Sequence, residues 1–272
     1  TGSLVLSGVS VKVAAQSGNY LSLNGVDRYM VIPNHADFQF TTTESFTVSY
    51  WVNYNSLAGT QRAISKRNPN LSDKSGYEIF SSSAAQFYGL NTPKAVSGHA
   101  YSVYGTSPGS VGQWYHIALV VARDATNTVI TMYQDGAVVG KSNPFPNADY
   151  AVTNNPDVNI GRGEYYGNYL NGKIDNLRFY KKGLTQAEIQ ADMTSTVSSA
   201  TPGLVAAYDF EAANISGNQL ADISGKGHTA RLYNIPAPGT FSITQDNNFT
   251  GKGNDNEEIL KVAYTAAPGS RL

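Results

Sequence analysis

Apolar residues recurring at every second position are the feature that most narrows what this chain can fold into. Phe46, Val48, Tyr50, Val52 and Tyr54 alternate with Thr47, Ser49, Trp51 and Asn53, the period expected of a β-strand with one face in a core. Tyr115, Ile117, Leu119 and Val121 repeat the pattern after Trp114. Thr128–Tyr133 and Ala137–Val139 flank Gln134-Asp135-Gly136. Asp-Gly between β-branched runs predicts a hairpin whose type I′ turn needs positive φ at both central positions. Further strands are expected at Tyr20–Leu23, Tyr29–Ile32, Tyr77–Phe80 and Lys173–Tyr180. Strands at this spacing, joined by turns and not by helices, predict an all-β, antiparallel, two-sheet sandwich.

One short peripheral helix is expected. In Gly183-Leu-Thr-Gln-Ala-Glu-Ile189, Thr185 and Glu188 have capping-box spacing, each satisfying an otherwise unpaired amide. That helix should end near Met193. Thr194–Pro202 is small and polar, the mark of a boundary. The expected organisation is a sandwich over residues 1–195, a linker over 196–202 and a β-rich extension over 203–272. Strands at Thr240–Thr244 and Ile259–Tyr264 give that extension substance.

Composition removes several classes of function. With 272 residues and 41% apolar content a sizeable core is possible, yet no stretch is long or apolar enough to span a membrane. The 19 basic residues balance 20 acidic ones, so nothing attracts nucleic acid or an anionic bilayer. Cysteine is absent, which excludes disulfides, thiolate metal sites and a cysteine nucleophile, and suits a bacterial secreted or surface protein better than an animal one. No leader opens the chain at Thr1-Gly2-Ser3, consistent with one removed or lying upstream. Only 14% of residues are charged, while Gly and Tyr are plentiful. A surface of that kind suits neutral ligands such as sugars.

Six segments then occur in a telling order: Ser22-Leu-Asn-Gly-Val-Asp-Arg-Tyr-Met, Phe46-Thr-Val-Ser-Tyr-Trp-Val, Gln113-Trp-Tyr-His-Ile-Ala, Tyr133-Gln-Asp-Gly, Gly172-Lys-Ile-Asp-Asn-Leu-Arg-Phe-Tyr and Leu184-Thr-Gln-Ala-Glu-Ile. Together, over about residues 16–195, they resemble the laminin-G-like, pentraxin-like lectin domains of bacterial surface proteins. The resemblance implies a concanavalin A-like jelly roll, often carbohydrate-binding and often calcium-containing. Gly203-Leu-Val-Ala-Ala-Tyr-Asp-Phe-Glu and Asp222-Ile-Ser-Gly-Lys-Gly-His resemble the segment that normally opens such a domain, yet here they follow it. Either a second, partial copy begins after the linker or this segment packs back on the first sandwich.

Asp175 is in phase with Leu177 and Phe179 and is expected to point inward, where a carboxylate needs a cation or several donors. Calcium takes carboxylates and backbone carbonyls. The resemblance places its partners in Asn24-Gly25-Val26-Asp27, which makes Asp175, Gly25 and Asp27 the expected structural calcium set. Backbone amides, Arg28 or Arg178 are the alternative partners. Asp246–Glu257 also matches a twelve-residue calcium loop, with Asp246, Asn248, Gly251 and Glu257 in register. Gly253 in place of the apolar eighth residue and β-like flanks favour a polar hairpin there.

Sugar recognition needs flat aromatic rings. Tyr101 and Tyr104 lie in the Gly/Ser-rich Ser97–Gly112, and Tyr165, Tyr166 and Tyr169 in Gly161–Gly172, both expected to be loops, where binding residues concentrate. Trp51 falls opposite the core face, so it lines an open sheet or is covered. These six are the candidate carbohydrate-binding residues. Catalysis has little support: the laminarinase-type Glu-x-Asp-x-x-Glu is absent, as are Gly-x-Ser-x-Gly, His-Glu-x-x-His and a phosphate loop. The reading is a non-catalytic carbohydrate-binding or adhesive module of a secreted or surface protein. Its expected partner is a glycan, with other surface proteins as further partners. A structural or assembly role and, third, a glycoside hydrolase are the alternatives.

Overall fold

The computed structural model describes residues 19–68, 75–82, 86–92, 101–105, 109–164, 167–236, 242–243 and 262–263. Nearly all of its regular structure is antiparallel strand, in two large sheets. The first holds β1 (Leu21–Asn24), β3 (Phe46–Tyr54), β8 (Trp114–Arg123), β9 (Asn127–Gln134), β10 (Ala137–Lys141), β11 (Phe145–Pro146), β13 (Asn171–Tyr180) and β14 (Leu204–Tyr208). The second holds β2 (Tyr29–Ile32), β4 (Thr60–Arg67), β5 (Gly76–Ser82), β6 (Gln86–Thr92), β7 (Tyr101–Gly105) and β12 (Val158–Ile160). To these it adds β15 (Ile215–Ser216), β16 (Gln219–Leu220) and β17 (Ala230–Tyr233). Strands β18 (Ser242–Ile243) and β19 (Val262–Ala263) pair with each other.

Phe46, Val48, Val52, Ile117, Leu119, Leu177 and Phe179 are fully buried between the sheets, as the alternation predicts. The β9–β10 hairpin turns at Asp135 (φ 49°) and Gly136 (φ 73°), both left-handed as a type I′ turn requires. The other face of β3 departs from the simple pattern. Thr47, Ser49, Trp51 and Asn53 are buried too, so this strand is covered on both sides.

The cover comes from α1 (Gln186–Asp192) and its flanks. Leu184 and Ile189 pack with Ala118, Val120, Tyr133, Tyr180 and Leu204 in a second, smaller apolar cluster on the outer face of the first sheet. The helix is therefore less peripheral than its length suggests. Its capping box is complete: Thr185 Oγ1 accepts the Glu188 amide at 3.3 Å, and Glu188 Oε2 accepts the Thr185 amide at 2.9 Å. Thr185→Ala removes the first of these and is expected to cost about 1 kcal/mol of stability. Chemical denaturation should show a lower midpoint with an unchanged slope.

Residues 203–236 are woven into both sheets. Strand β13 pairs along one edge with β3; along the other, its first half pairs with β1 and its second half with β14. Strands β1 and β14 thus lie end to end, two chain-distant segments completing one edge. Strand β17 then adds to the second sheet beside β2. Asp222 organises the intervening turn: its carboxylate accepts the amides of Ala207, Ser224 and His228 and the Ser224 hydroxyl, at 2.8 to 3.1 Å. That network is the physical content of the Asp-Ile-Ser-Gly-Lys-Gly-His stretch.

Candidate functional site

The outer face of the second sheet carries a column of stacked planar groups. Met30, Ile32, Val158, Ile160 and Leu232 point into the core, so alternation turns Tyr29, Asn159 and Tyr233 to the other side. Tyr29 and Tyr233 are direct cross-strand partners, a pairing that brings side chains together. Their rings stack 4.6 Å apart at an interplanar angle of 4°. The Arg162 guanidinium lies 3.9 Å over the Tyr29 ring, and two groups this close to one centroid must take opposite faces. Tyr169 leans in at 6.2 Å and 53°.

Polar groups line one side of this column. Arg162 Nε donates to Asn159 Oδ1 at 2.8 Å, Asn159 Nδ2 donates to Glu164 Oε2 at 2.6 Å, and Arg162 Nη2 lies 3.7 Å from the same oxygen. Tyr29, Tyr169, Tyr233 and Arg162 are half-buried and Glu164 is exposed. Solvent therefore reaches rings and hydrogen-bonding groups side by side, the combination that a sugar's apolar face and hydroxyls require.

The loop that presents Arg162, Glu164 and Tyr169 is anchored from below. Gly161 donates its amide to Ala63 O at 2.8 Å and Leu170 donates to Gly161 O at 2.9 Å, closing the loop at its base. Arg62 reaches up to Asn168 Oδ1 and back to Glu78 Oε1 at 2.9 Å, while Arg67 holds Glu78 Oε2 at 3.0 Å. Ser65 Oγ also donates to Glu78, at 2.9 Å. Two guanidinium groups and a hydroxyl offset the desolvation of that buried carboxylate. The loop rests so closely on Arg62 that a Cβ at Gly163 would come within 2.3 Å of its Cδ.

Of the six sugar-binding candidates, only Tyr169 has a described side chain at this cluster. Tyr165 and Tyr166 lie outside the described residues, as do Asp246–Glu257. Tyr101 and Tyr104 are not in a loop: they belong to β7, opposite Asn91 and Tyr88 of β6. Trp51 is covered, 3% exposed and edge-on to His116 at 5.4 Å, so no sugar can stack on it. Tyr29, Tyr233 and Arg162 escaped sequence reasoning because a single tyrosine in a strand carries no sign of a partner 204 positions away. Another exposed ring, Tyr20, packs on Trp114 at 6.0 Å with Lys173 above it. That patch has fewer directional groups than the tyrosine column.

The calcium expectation meets a different geometry. Asn176 (φ 47°) makes a bulge in β13, where the register shifts between Asp175 and Arg178. The extra residue reverses the phase. Ile174 and Leu177 are in the core, whereas Asp175 pairs with Trp51 on the outer face. There its Oδ1 accepts the Asn176 amide at 2.7 Å. Gly25 lies beside Leu170, five positions back along the strand, or roughly 16 Å. The Asn24–Asp27 turn closes on itself, Asn24 Oδ1 accepting the amides of Val26, Asp27 and Arg28, and Asn24 Nδ2 donating to Asp27. Asp175, Gly25 and Asp27 do not converge and do not fit a shared ion.

Residues 24–190, more than half of the chain, match the laminin G model described as concanavalin A-like lectin/glucanases superfamily. The chain belongs to that superfamily. No curated protein sequence matches it. Among solved structures, this superfamily member is similar to a protein of Bacteroides ovatus described as carbohydrate binding, with 17% identity and a TM-score of 0.58, over 79% of this chain and 59% of that one. The chain thus spans about three-fifths of that protein's length. It is also similar to the CBM40 of the Ruminococcus gnavus IT-sialidase (13% identity, TM-score 0.49, 66% and 100% covered). A third is the heptameric SAP-like pentraxin of Limulus polyphemus (14%, 0.42, 62% and 82%). At these identities the likeness concerns the fold. No helix among the described residues is long and apolar enough to cross a membrane.

Proposed function

We propose that this domain is a non-catalytic carbohydrate-binding module of a secreted or surface-displayed protein, serving attachment to a glycan. The observation that carries the reading is the Arg162–Tyr29–Tyr233 column with Tyr169 beside it. A pyranose stacks on the face of Tyr233 turned away from Tyr29 while Arg162 and Glu164, both held by the buried Asn159, engage its hydroxyls. The cluster is preorganised, because the column, the Asn159–Glu164 bond and the Arg62–Glu78 anchor hold it before any ligand arrives. Glu164 is held by Asn159 and Arg162, which ties up the carboxylate that glycoside hydrolysis would need as acid or nucleophile and supports binding without turnover.

The test is a glycan array followed by affinity electrophoresis in the polysaccharide that scores. Tyr233→Ala and Tyr169→Ala are each expected to weaken retention about tenfold or more, with melting temperatures close to that of the parent. Full retention by both variants would reject the site. Retention lost instead in Trp114→Ala would move it to the first sheet. Release of reducing sugar by the purified protein would overturn the non-catalytic assignment.

A further inference from the structure

Away from the tyrosine column, three metal-ligating side chains meet where the C-terminal segment crosses the sandwich. His35 and Asp37 follow β2, Asp37 within the one-turn 3-10 helix Ala36–Phe38. His228 comes from the turn before β17, 191 positions from Asp37. His228 Nε2 lies 2.9 Å from Asp37 Oδ2, and His35 Nδ1 lies 3.4 Å from that same oxygen. One ligand atom from each of the three residues falls within 4.8 Å of the others. The two imidazole rings are 4.7 Å apart.

We propose that His35, Asp37 and His228 bind a zinc ion that clasps residues 203–236 to the corner after β2. Two imidazoles and one carboxylate form a donor set for a first-row transition ion; calcium and magnesium take oxygen almost exclusively. Around a tetrahedral zinc with bonds of about 2.0 to 2.2 Å, neighbouring ligand atoms stand about 3.4 Å apart. The His35–Asp37 separation already has that value. The His228–Asp37 contact is a hydrogen bond that opens by about half an ångström when an ion takes the proton's place. Three protein ligands leave the fourth position to water, on the side where His35 is exposed.

The supporting groups favour the site. Lys181 Nζ sits 3.9 Å from Asp37 Oδ1, the other carboxylate oxygen, leaving Oδ2 to the histidines. His228 is held at three points. Its amide donates to Asp222 at 3.1 Å, its carbonyl accepts the Tyr208 hydroxyl at 2.5 Å, and its ring meets Phe38 edge-on at 4.9 Å. His35 Nδ1 accepts the Asp37 amide at 3.2 Å. An ion displaces that bond and leaves one exposed amide to water, a small loss beside a metal–nitrogen bond. Zinc cross-links two segments that only the folded chain brings together, so its binding free energy adds to folding.

The test uses tag-free, full-length chain, stripped with chelator and dialysed into metal-free buffer. Calorimetric titration with zinc chloride is expected to show one equivalent bound, and the melting temperature should rise with the logarithm of free zinc above the dissociation constant. His35→Gln replaces an exposed ring, so folding in chelator should match the parent while zinc affinity falls at least tenfold. Cobalt(II) substitution should give the intense visible absorption of a four-coordinate ion, lost in His35→Gln and His228→Gln. Calcium chloride at the same concentrations should not compete. The clasp is overturned if the parent binds no zinc, or if His35→Gln binds and is stabilised as strongly as the parent.

Discussion

Asp192→Ala is expected to lower the unfolding free energy by about 3–5 kcal/mol. Asp192 ends α1 and is buried against the first sheet. Its Oδ1 accepts Arg178 Nη1 at 2.6 Å and the Tyr180 hydroxyl at 2.5 Å, and its Oδ2 accepts Ser49 Oγ at 2.7 Å. Arg178 also donates to the carbonyls of Asp192 and Ser195, each at 2.6 Å. Truncating the carboxylate leaves the guanidinium buried with only neutral partners and strands two hydroxyls. The helix, the strand β13 and the start of the connection to β14 lose their common fastening. Urea unfolding of Asp192→Ala against the parent measures the loss. The double variant Arg178→Met, Asp192→Leu should recover a good part of it, because the charge that needed a partner is gone. A loss under 1 kcal/mol in the single variant would show that the apolar cluster around Ile189 holds the helix by itself.

Acid should weaken the same region through His116. Burial pushes the imidazole down to about 4; the nearby Asp192 carboxylate works against that shift, and Arg178 reinforces it. The buried Nδ1 has no hydrogen-bond partner among the described residues, as suits a neutral ring in a dry site. In the unfolded chain the group titrates near its ordinary value of about 6.5. A depressed pKa in the folded state means that the stabilisation is complete above pH 6.5 and is lost as pH falls from there through 4. The full loss is about 3 kcal/mol at 1.36 kcal/mol per unit. His116→Gln should therefore flatten the stability profile between pH 6.5 and 4 relative to the parent. Trp51 lies edge-on to the His116 ring at 5.4 Å, so its fluorescence reports the opening directly once Trp114 is replaced by Phe. Parallel profiles for parent and variant would exclude His116 as the acid-sensitive group.

Both effects arise on the sheet face that alternation alone marks as solvent-facing. Thr47, Ser49, Trp51 and Asn53 read as an outer row, and locally they are one. They are buried because α1 and the stretch before β14 fold over them. The period of a strand tells which residues share a face, but whether a second layer covers that face depends on residues more than a hundred positions away.

The sequence by itself determined the strands β1, β2, β3, β5, β8, β9, β10 and β13, the core face, the Asp135-Gly136 turn and the Thr185–Glu188 cap, since each rests on interactions within a few residues or on a strict period of two. Its ordered motifs also carried the superfamily. Only the tertiary structure decided the rest. One bulge at Asn176 reversed the phase of Asp175 and moved it from the core between the sheets to the covered outer face, because an added residue moves a side chain to the other face. The residues 203–236 joined both sheets through pairings with β13 and β2. The candidate sites were hidden for the same reason. Tyr29 meets Tyr233, and Asp37 meets His228, across about two hundred positions, and such meetings are set by which edge of a sheet remains open when the chain returns.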